Sequence, residues 1–347
     1  MASRQAARRR IGWALLLLLA LWPFAGRAAE TAPVGLRRIE FFDAQQGGRT
    51  LAVTMFYPAA LPSPAPKPIP TPFYTGLTLY LDAPIAPGAQ KRPLVMFSHG
   101  RGSNGMVYAW FAQTLASHGF IVAALNHYHA NTYDARIAYL ANKLWQRPLD
   151  ISLVITDLLH DPSWGALIDP GRIGVAGHSQ GGFTSLWVAG ARVNAEKFTA
   201  FQRRWRNNPD VPAHLRRKLP VDATPALHVH DPRIRAAFAM APGVIQAFGM
   251  DPDGLRHLAV PTYLIVGASD TQAPPAENAE FAAKYIPHVT LTVIPGPVGH
   301  EIFVNECDAE GRDEFPESCI DAAGVDRAKL HAMIGEAALA FFGQNLR

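Results

Sequence analysis

A chain of 347 residues, 49% hydrophobic and 17% charged, has the apolar content of a globular protein and excludes a disordered one. Two cysteines are too few to build a disulfide scaffold, so a hydrophobic core must hold the fold. The net charge of +4 invites a nucleic-acid partner, but five arginines and no acid fall within residues 1–28. The remainder carries −1, with no basic stretch interleaved with aromatics on the scale nucleic acid needs.

Those first 28 residues read as an export signal. Arg4, Arg8, Arg9 and Arg10 form a basic head, residues 11–22 are an almost unbroken apolar run, and Gly26 and Ala28 stand at signal-peptidase spacing. The run is short for a bilayer span, which favours cleavage over an uncleaved anchor. The expectation is a periplasmic or secreted protein whose mature chain, 29–347, is one catalytic domain.

Along that chain, strands are predicted over 51–57, 93–97, 121–125, 173–176, 236–240, 263–266 and 289–294. Helices are predicted over 113–117, 135–159 with an interruption near Pro148, 185–188, 276–285 and 328–342, and a Pro-rich connection covers 62–72. Short buried strands separated by helices define an α/β fold, with a mostly parallel sheet and helices on both faces. Residues 193–232 break the alternation. Phe198, Phe201 and Trp205 share one helical face there, while Arg203, Arg204, Arg206, Arg216, Arg217 and Lys218 supply charge. Following a nucleophile's helix, this insertion is expected to roof the site like a lid, and its charge suits anionic substrates or contact with lipid headgroups. A decorative surface insertion is the alternative.

The sharpest chemical signal is Gly177-His178-Ser179-Gln180-Gly181, preceded by a strand and followed by a helix. It fits G-x-S-x-G, in which a tight turn lifts the serine above the sheet and the glycines keep side chains out of the crowded turn. A serine hydroxyl needs a base, and the base needs an orienting acid; on such folds the order is Ser, acid, His. His300 follows the last predicted strand and is the expected base. Asp270, on the turn after 263–266, is the expected acid, with Asp251 and Asp253 as competitors. The oxyanion should meet the backbone N–H of Gln180 and a second N–H from Ser98-His99-Gly100-Arg101-Gly102, for which Arg101 is the choice.

These motifs together resemble the α/β-hydrolases, and most closely the bacterial exported dienelactone hydrolase-like and platelet-activating-factor acetylhydrolase-like proteins. The residues that carry the likeness are Phe97-Ser98-His99-Gly100, Asp169 to Val175, Gly177 to Gly182, Gly267-Ala268-Ser269-Asp270 and Gly299-His300, so it spans about 35–345. Dienelactone hydrolase itself uses a cysteine nucleophile where this chain has Ser179. The plasma acetylhydrolase takes its acid after the strand corresponding to 236–240, where this chain reads Ala241-Pro242-Gly243. The resemblance implies a serine carboxylic-ester hydrolase with an α/β-hydrolase fold, working through an acyl-enzyme on a small-molecule or lipid-like ester.

An amidase or peptidase, a polyester-degrading hydrolase and a non-catalytic binding module on the same scaffold are the alternatives. No cofactor is expected. His127-x-His129 and His228-x-His230-Asp231 are the only metal-like spacings, and neither extends into a ligand set, so no metal is expected. Cys307 and Cys319, the only cysteines, are expected to pair in an exported protein and to steady the loop that carries His300.

Overall fold

A computed structural model describes residues 31–347 apart from 45–47, 210, 217 and 222–227. The expected export signal, residues 1–28, and Arg217 lie outside the described residues. Nine strands form one sheet: β1 (Val34–Asp43), β2 (Arg49–Pro58), β3 (Leu79–Leu81), β4 (Arg92–Ser98), β5 (Ile121–Asn126), β6 (Ile168–His178), β7 (Ile234–Met240), β8 (Thr262–Gly267) and β9 (Val289–Ile294), in the order β3-β1-β2-β5-β4-β6-β7-β8-β9. The six strands from β5 to β9 in that order run parallel, while β2 pairs antiparallel with both β1 and β5.

The central predicted strands fall where the side chains are buried on both faces. Leu94–Phe97, Ile121–Leu125 and Ala236–Met240 are continuous apolar runs without exposed positions, as a covered parallel sheet requires. β1 escapes sequence reading because its residues alternate: Arg37, Arg38 and Glu40 share the strand with buried Leu36 and half-buried Ile39. A strand near the edge, with one face wet, lacks the continuous run that marks its neighbours.

Four helices matter for the site: α1 (Ala109–Ser117), α2 (Gln146–His160), α3 (Gln180–Val188) and α4 (Ala195–Trp205). The helix expected over 135–159 is shorter than its periodicity suggests. α2 begins only at Gln146, so Pro148 lies in the first turn, where a missing N–H breaks no helical bond. The interruption is therefore a helix start. On one face of the sheet Phe111 of α1 and Phe342 of the C-terminal helix Arg327–Asn345 both pack on Phe238 of β7. α2 packs against α3, and Trp187 of α3 carries Phe198 of the insertion.

α4 is the helix anticipated within 193–232. Asn194 caps it by accepting from the N–H groups of Glu196 and Lys197. Phe198 and Phe201 are buried, Phe201 lies edge-on to Phe248 with centroids 4.4 Å apart, and Trp205 donates its indole N–H to the Tyr139 carbonyl at 2.9 Å. Its apolar face is seated, and Phe201 and Trp205 line the cleft. The Cys307–Cys319 disulfide is formed and closes two short helices, Ala309–Glu314 and Pro316–Cys319. Phe315 in that loop packs edge-on against Phe73, and Cys307 pairs as an isolated bridge with Tyr74, so the far end of the Pro-rich connection docks here.

Candidate active site

The end of β6 turns sharply into α3 at Ser179, which adopts φ 55° and ψ −121°. This is a left-handed conformation in a residue with a Cβ, a strained geometry held by its surroundings. The Ser179 N–H donates to the Met240 carbonyl, and its carbonyl accepts from Phe183 and Gly243. The glycines around it answer to space. A Cβ on Gly181 would overlap the Ser98 carbonyl, and one on Gly177 would overlap the Gly181 carbonyl. A Cβ on Gly243 would stand 3.5 Å from Ser179 Oγ, so that glycine keeps the approach to the hydroxyl clear.

Asp270 and His300 are brought together by the turns after β8 and β9. Asp270, 3% exposed, accepts the His300 Nδ1–H on Oδ2 at 2.6 Å, while Oδ1 accepts the backbone N–H groups of Gln272 and Ala273. This fixes the tautomer: the proton sits on Nδ1, and Nε2 presents a lone pair. The segment after His300 is itself tied down. Asn305 accepts the Trp110 N–H, donates to the Met106 carbonyl and sends its own N–H to the Val107 carbonyl. The competing acids are committed elsewhere. Asp251 pairs with Lys197 and caps the short helix Pro252–Arg256, and Asp253 pairs with Arg256.

Ser179, His300, Gln180 and Arg101 line one cavity of about 770 Å³, walled by aromatics that include Tyr139, Phe201, Trp205, Phe248 and Phe315. The Arg101 guanidinium lies over the Tyr139 and Trp205 rings. Gln180 is the first residue of α3, where helix geometry leaves the backbone N–H without an intrahelical partner. The loop after β4 passes beside the serine, since a Cβ on Gly100 would lie 3.6 Å from Ser179 Cβ. Gly100 is held from both ends: its N–H donates to Tyr108 Oη, and its carbonyl accepts the His99 Nδ1–H at 2.7 Å.

Three further buried histidines surround Ser179, and sequence reading passed over two of them. His99 spends Nε2 on the His127 N–H. His127 joins Ser98 Oγ through Nε2 and Asp150 through Nδ1. His178 donates Nε2–H to the His300 carbonyl and accepts from Tyr108 Oη on Nδ1. Burial holds all three well below the ordinary imidazole range, so they are neutral. Each has both nitrogens committed, whereas the His300 side chain makes a single hydrogen bond among the described residues.

His127 thus belongs to a polar chain and not to a metal pair. Beyond it, Asp150 meets Arg49 at 2.6 Å and Arg49 reaches Asp43 at 2.9 Å. Burial pushes Asp150 up to about 7 against the opposing pull of Arg49 and Arg147. His129 pairs with Asp134, Asp231 pairs with Arg233, and among the described residues no three His, Cys, Asp or Glu groups are set to hold a metal ion.

A mostly parallel sheet, a serine on the strand–helix elbow after the central β6, and a histidine and an acid on later turns define the α/β-hydrolase fold. Comparison with known proteins agrees. The ferulic acid esterase from Streptomyces cinnamoneus superposes with a TM-score of 0.62 over 92% of both chains, at 23% identity. Residues 45–147 match the family described as platelet-activating factor acetylhydrolase, isoform II. Platelet-activating factor acetylhydrolases of Canis lupus familiaris and Cavia porcellus are 41% and 43% identical over 70 residues, covering 18% of this chain and 16% of each relative. The chain thus matches about one sixth of the length of these relatives. The family segment holds the loop after β4, His127 and Arg147, and stops before Ser179.

Proposed function

We propose that this chain is an exported serine carboxylic-ester hydrolase working through an acyl-enzyme. The observation that carries the reading is the asymmetry among the three histidines that line the cavity: of His127, His178 and His300, only His300 keeps a nitrogen uncommitted, and it shares that cavity with the strained Ser179. His300 Nε2 takes the hydroxyl proton as Ser179 Oγ bonds to the ester carbonyl carbon. The oxyanion meets the Gln180 and Arg101 N–H groups. Asp270 holds the imidazole and stabilises its cationic form. Collapse of the intermediate breaks the C–O bond, and the alcohol leaves with the proton from His300. Water, deprotonated by His300, then releases the acid and restores Ser179.

The names of the similar proteins, an acetylhydrolase and a ferulic acid esterase, favour esters over amides. The aromatic walls suit a bulky acyl or alkoxy group, since a cavity of this volume encloses a drug-sized molecule. Turnover of p-nitrophenyl esters from acetate to dodecanoate, beside methyl ferulate and a matched anilide, tests the reading. Ester turnover that Ser179→Ala abolishes supports it. Faster anilide than ester cleavage would make the chain an amidase, and no turnover by folded protein would make it a binding module.

A further inference from the structure

Arg147, in the first turn of α2, lines the cavity wall yet is only 3% exposed. Its guanidinium donates Nη1–H to Gln180 Oε1 at 2.8 Å and Nη2–H to Ser98 Oγ at 3.2 Å and to the His99 carbonyl. These three acceptors lie on two separate segments. Ser98 and His99 begin the loop that runs on to Arg101, while Gln180 opens α3. The same two segments supply the N–H groups assigned above to the oxyanion.

A cation is a costly tie in a buried place, and burial draws Arg147 down to about 9 against the pull of Asp150. What the guanidinium supplies in return is a planar fork that reaches two segments at once, the backbone of one and a side chain of the other, which an ammonium on a flexible stem cannot do. The fork is itself aimed. With Asp150 ionised, neutral His127 donates Nδ1–H to it, so His127 Nε2 accepts the Ser98 hydroxyl proton. Ser98 Oγ therefore turns its lone pairs toward Arg147. The chain from Asp43 through Arg49, Asp150, His127 and Ser98 ends on the clamp.

We propose that Arg147 is a positioning residue for ester cleavage: it ties the loop after β4 to the start of α3 and so sets the spacing of the Arg101 and Gln180 N–H groups around the oxyanion. This rests on the ester-hydrolase reading. Its positive charge, bonded to both segments that carry the donors, also has the sign that favours the developing oxyanion. The geometry acts on the tetrahedral species and leaves the aromatic walls that hold the ground state untouched. Loss of the clamp therefore lowers kcat and spares KM.

The test compares the full chain with Arg147→Met, Arg147→Lys and Gln180→Leu on p-nitrophenyl butyrate, with affinity for a trifluoromethyl ketone as the oxyanion readout. Arg147→Met should lose about 10²-fold in kcat, the scale of a misplaced oxyanion donor, with KM within about threefold. Ketone affinity should fall in parallel. Arg147→Lys should recover part of the loss by restoring charge without the fork. Gln180→Leu, which keeps the backbone N–H, should lose about 10-fold in kcat, close to the worth of one hydrogen bond. If Arg147→Met does not fold, as read by circular dichroism, the Gln180→Leu and Arg147→Lys values decide. Wild-type kcat in folded variants, or a loss confined to KM with ketone affinity unchanged, overturns the role of Arg147 alone. A wild-type chain that turns over no ester overturns the hydrolase reading and this proposal with it.

Discussion

Two buried polar assemblies flank Ser179. On one side Asp270 meets His300 in a single 2.6 Å hydrogen bond, and His300 leaves Nε2 to the cavity. On the other, Asp43, Arg49, Asp150, His127, Ser98 and Arg147 meet one after another, with both nitrogens of His127 engaged. Both contain an Asp–His contact of ordinary length, so proximity of an acid to a histidine does not distinguish them. What distinguishes them is the far nitrogen. A histidine that is to exchange a proton with substrate must keep one nitrogen unbound, while one that holds a loop in place commits both.

The largest effects should come from the open side. Ser179→Ala and His300→Gln should each lower kcat about 10⁴-fold or more on p-nitrophenyl esters, with the fold intact by circular dichroism. Asp270→Asn should cost about 10³- to 10⁴-fold, because the amide presents the wrong partner to Nδ1. Equal losses on replacing His127 would erase the distinction between the two sides.

Opening the disulfide, by Cys307→Ser with Cys319→Ser, probes the support of the open side. The bridge spans 12 residues, and its loss should lower unfolding free energy by about 2–4 kcal/mol in urea melts. kcat should change little, because Asn305 still anchors the segment after His300. His127→Phe, on the closed side, should cost about 1–3 kcal/mol of stability by removing one hydrogen-bond partner each from Asp150 and Ser98. Its kcat should stay within about 10-fold of wild type, the worth of one hydrogen bond.

A further effect is the pH dependence of stability. His99, His127 and His178 resist protonation in the folded chain, whereas the unfolded chain protonates them below about 6.5. The unfolded state then binds more protons, so stability falls as pH drops from 6.5 toward 5. Asp150 works the other way, since its raised folded value makes the native state bind a proton first between about 4 and 7. Three groups outweigh one, and the urea midpoint should fall over that range. A midpoint that rises instead would mean that these imidazoles are not buried neutral.

The open side was legible in the sequence and the closed side was not. Ser179, Asp270 and His300 stand in motifs and follow strands in a fixed order, because each lies on the turn just after a strand of the parallel sheet. Apolar, β-branched runs such as 289–294 fix where those turns fall, and here predicted and observed strands coincide. The closed side draws residues 43, 49, 98, 127, 147 and 150 from four elements and the loop after β5, and only tertiary packing brings them together. His127-x-His129 showed up in the sequence as metal-like spacing because spacing carries no record of partners. Pro148 looked like a break in a helix when it marks a start. β1 gave no apolar run because one of its faces is wet.

The most direct test of the central claim is labelling the protein with a fluorophosphonate and mapping the adduct by mass spectrometry, with Ser179→Ala beside it. One adduct on Ser179, lost in the variant and slowed about 10³-fold or more by His300→Gln, is expected of a serine activated by the cavity-lining histidine that keeps a nitrogen unbound. A folded protein that takes no label, or takes it on another serine, would contradict the account.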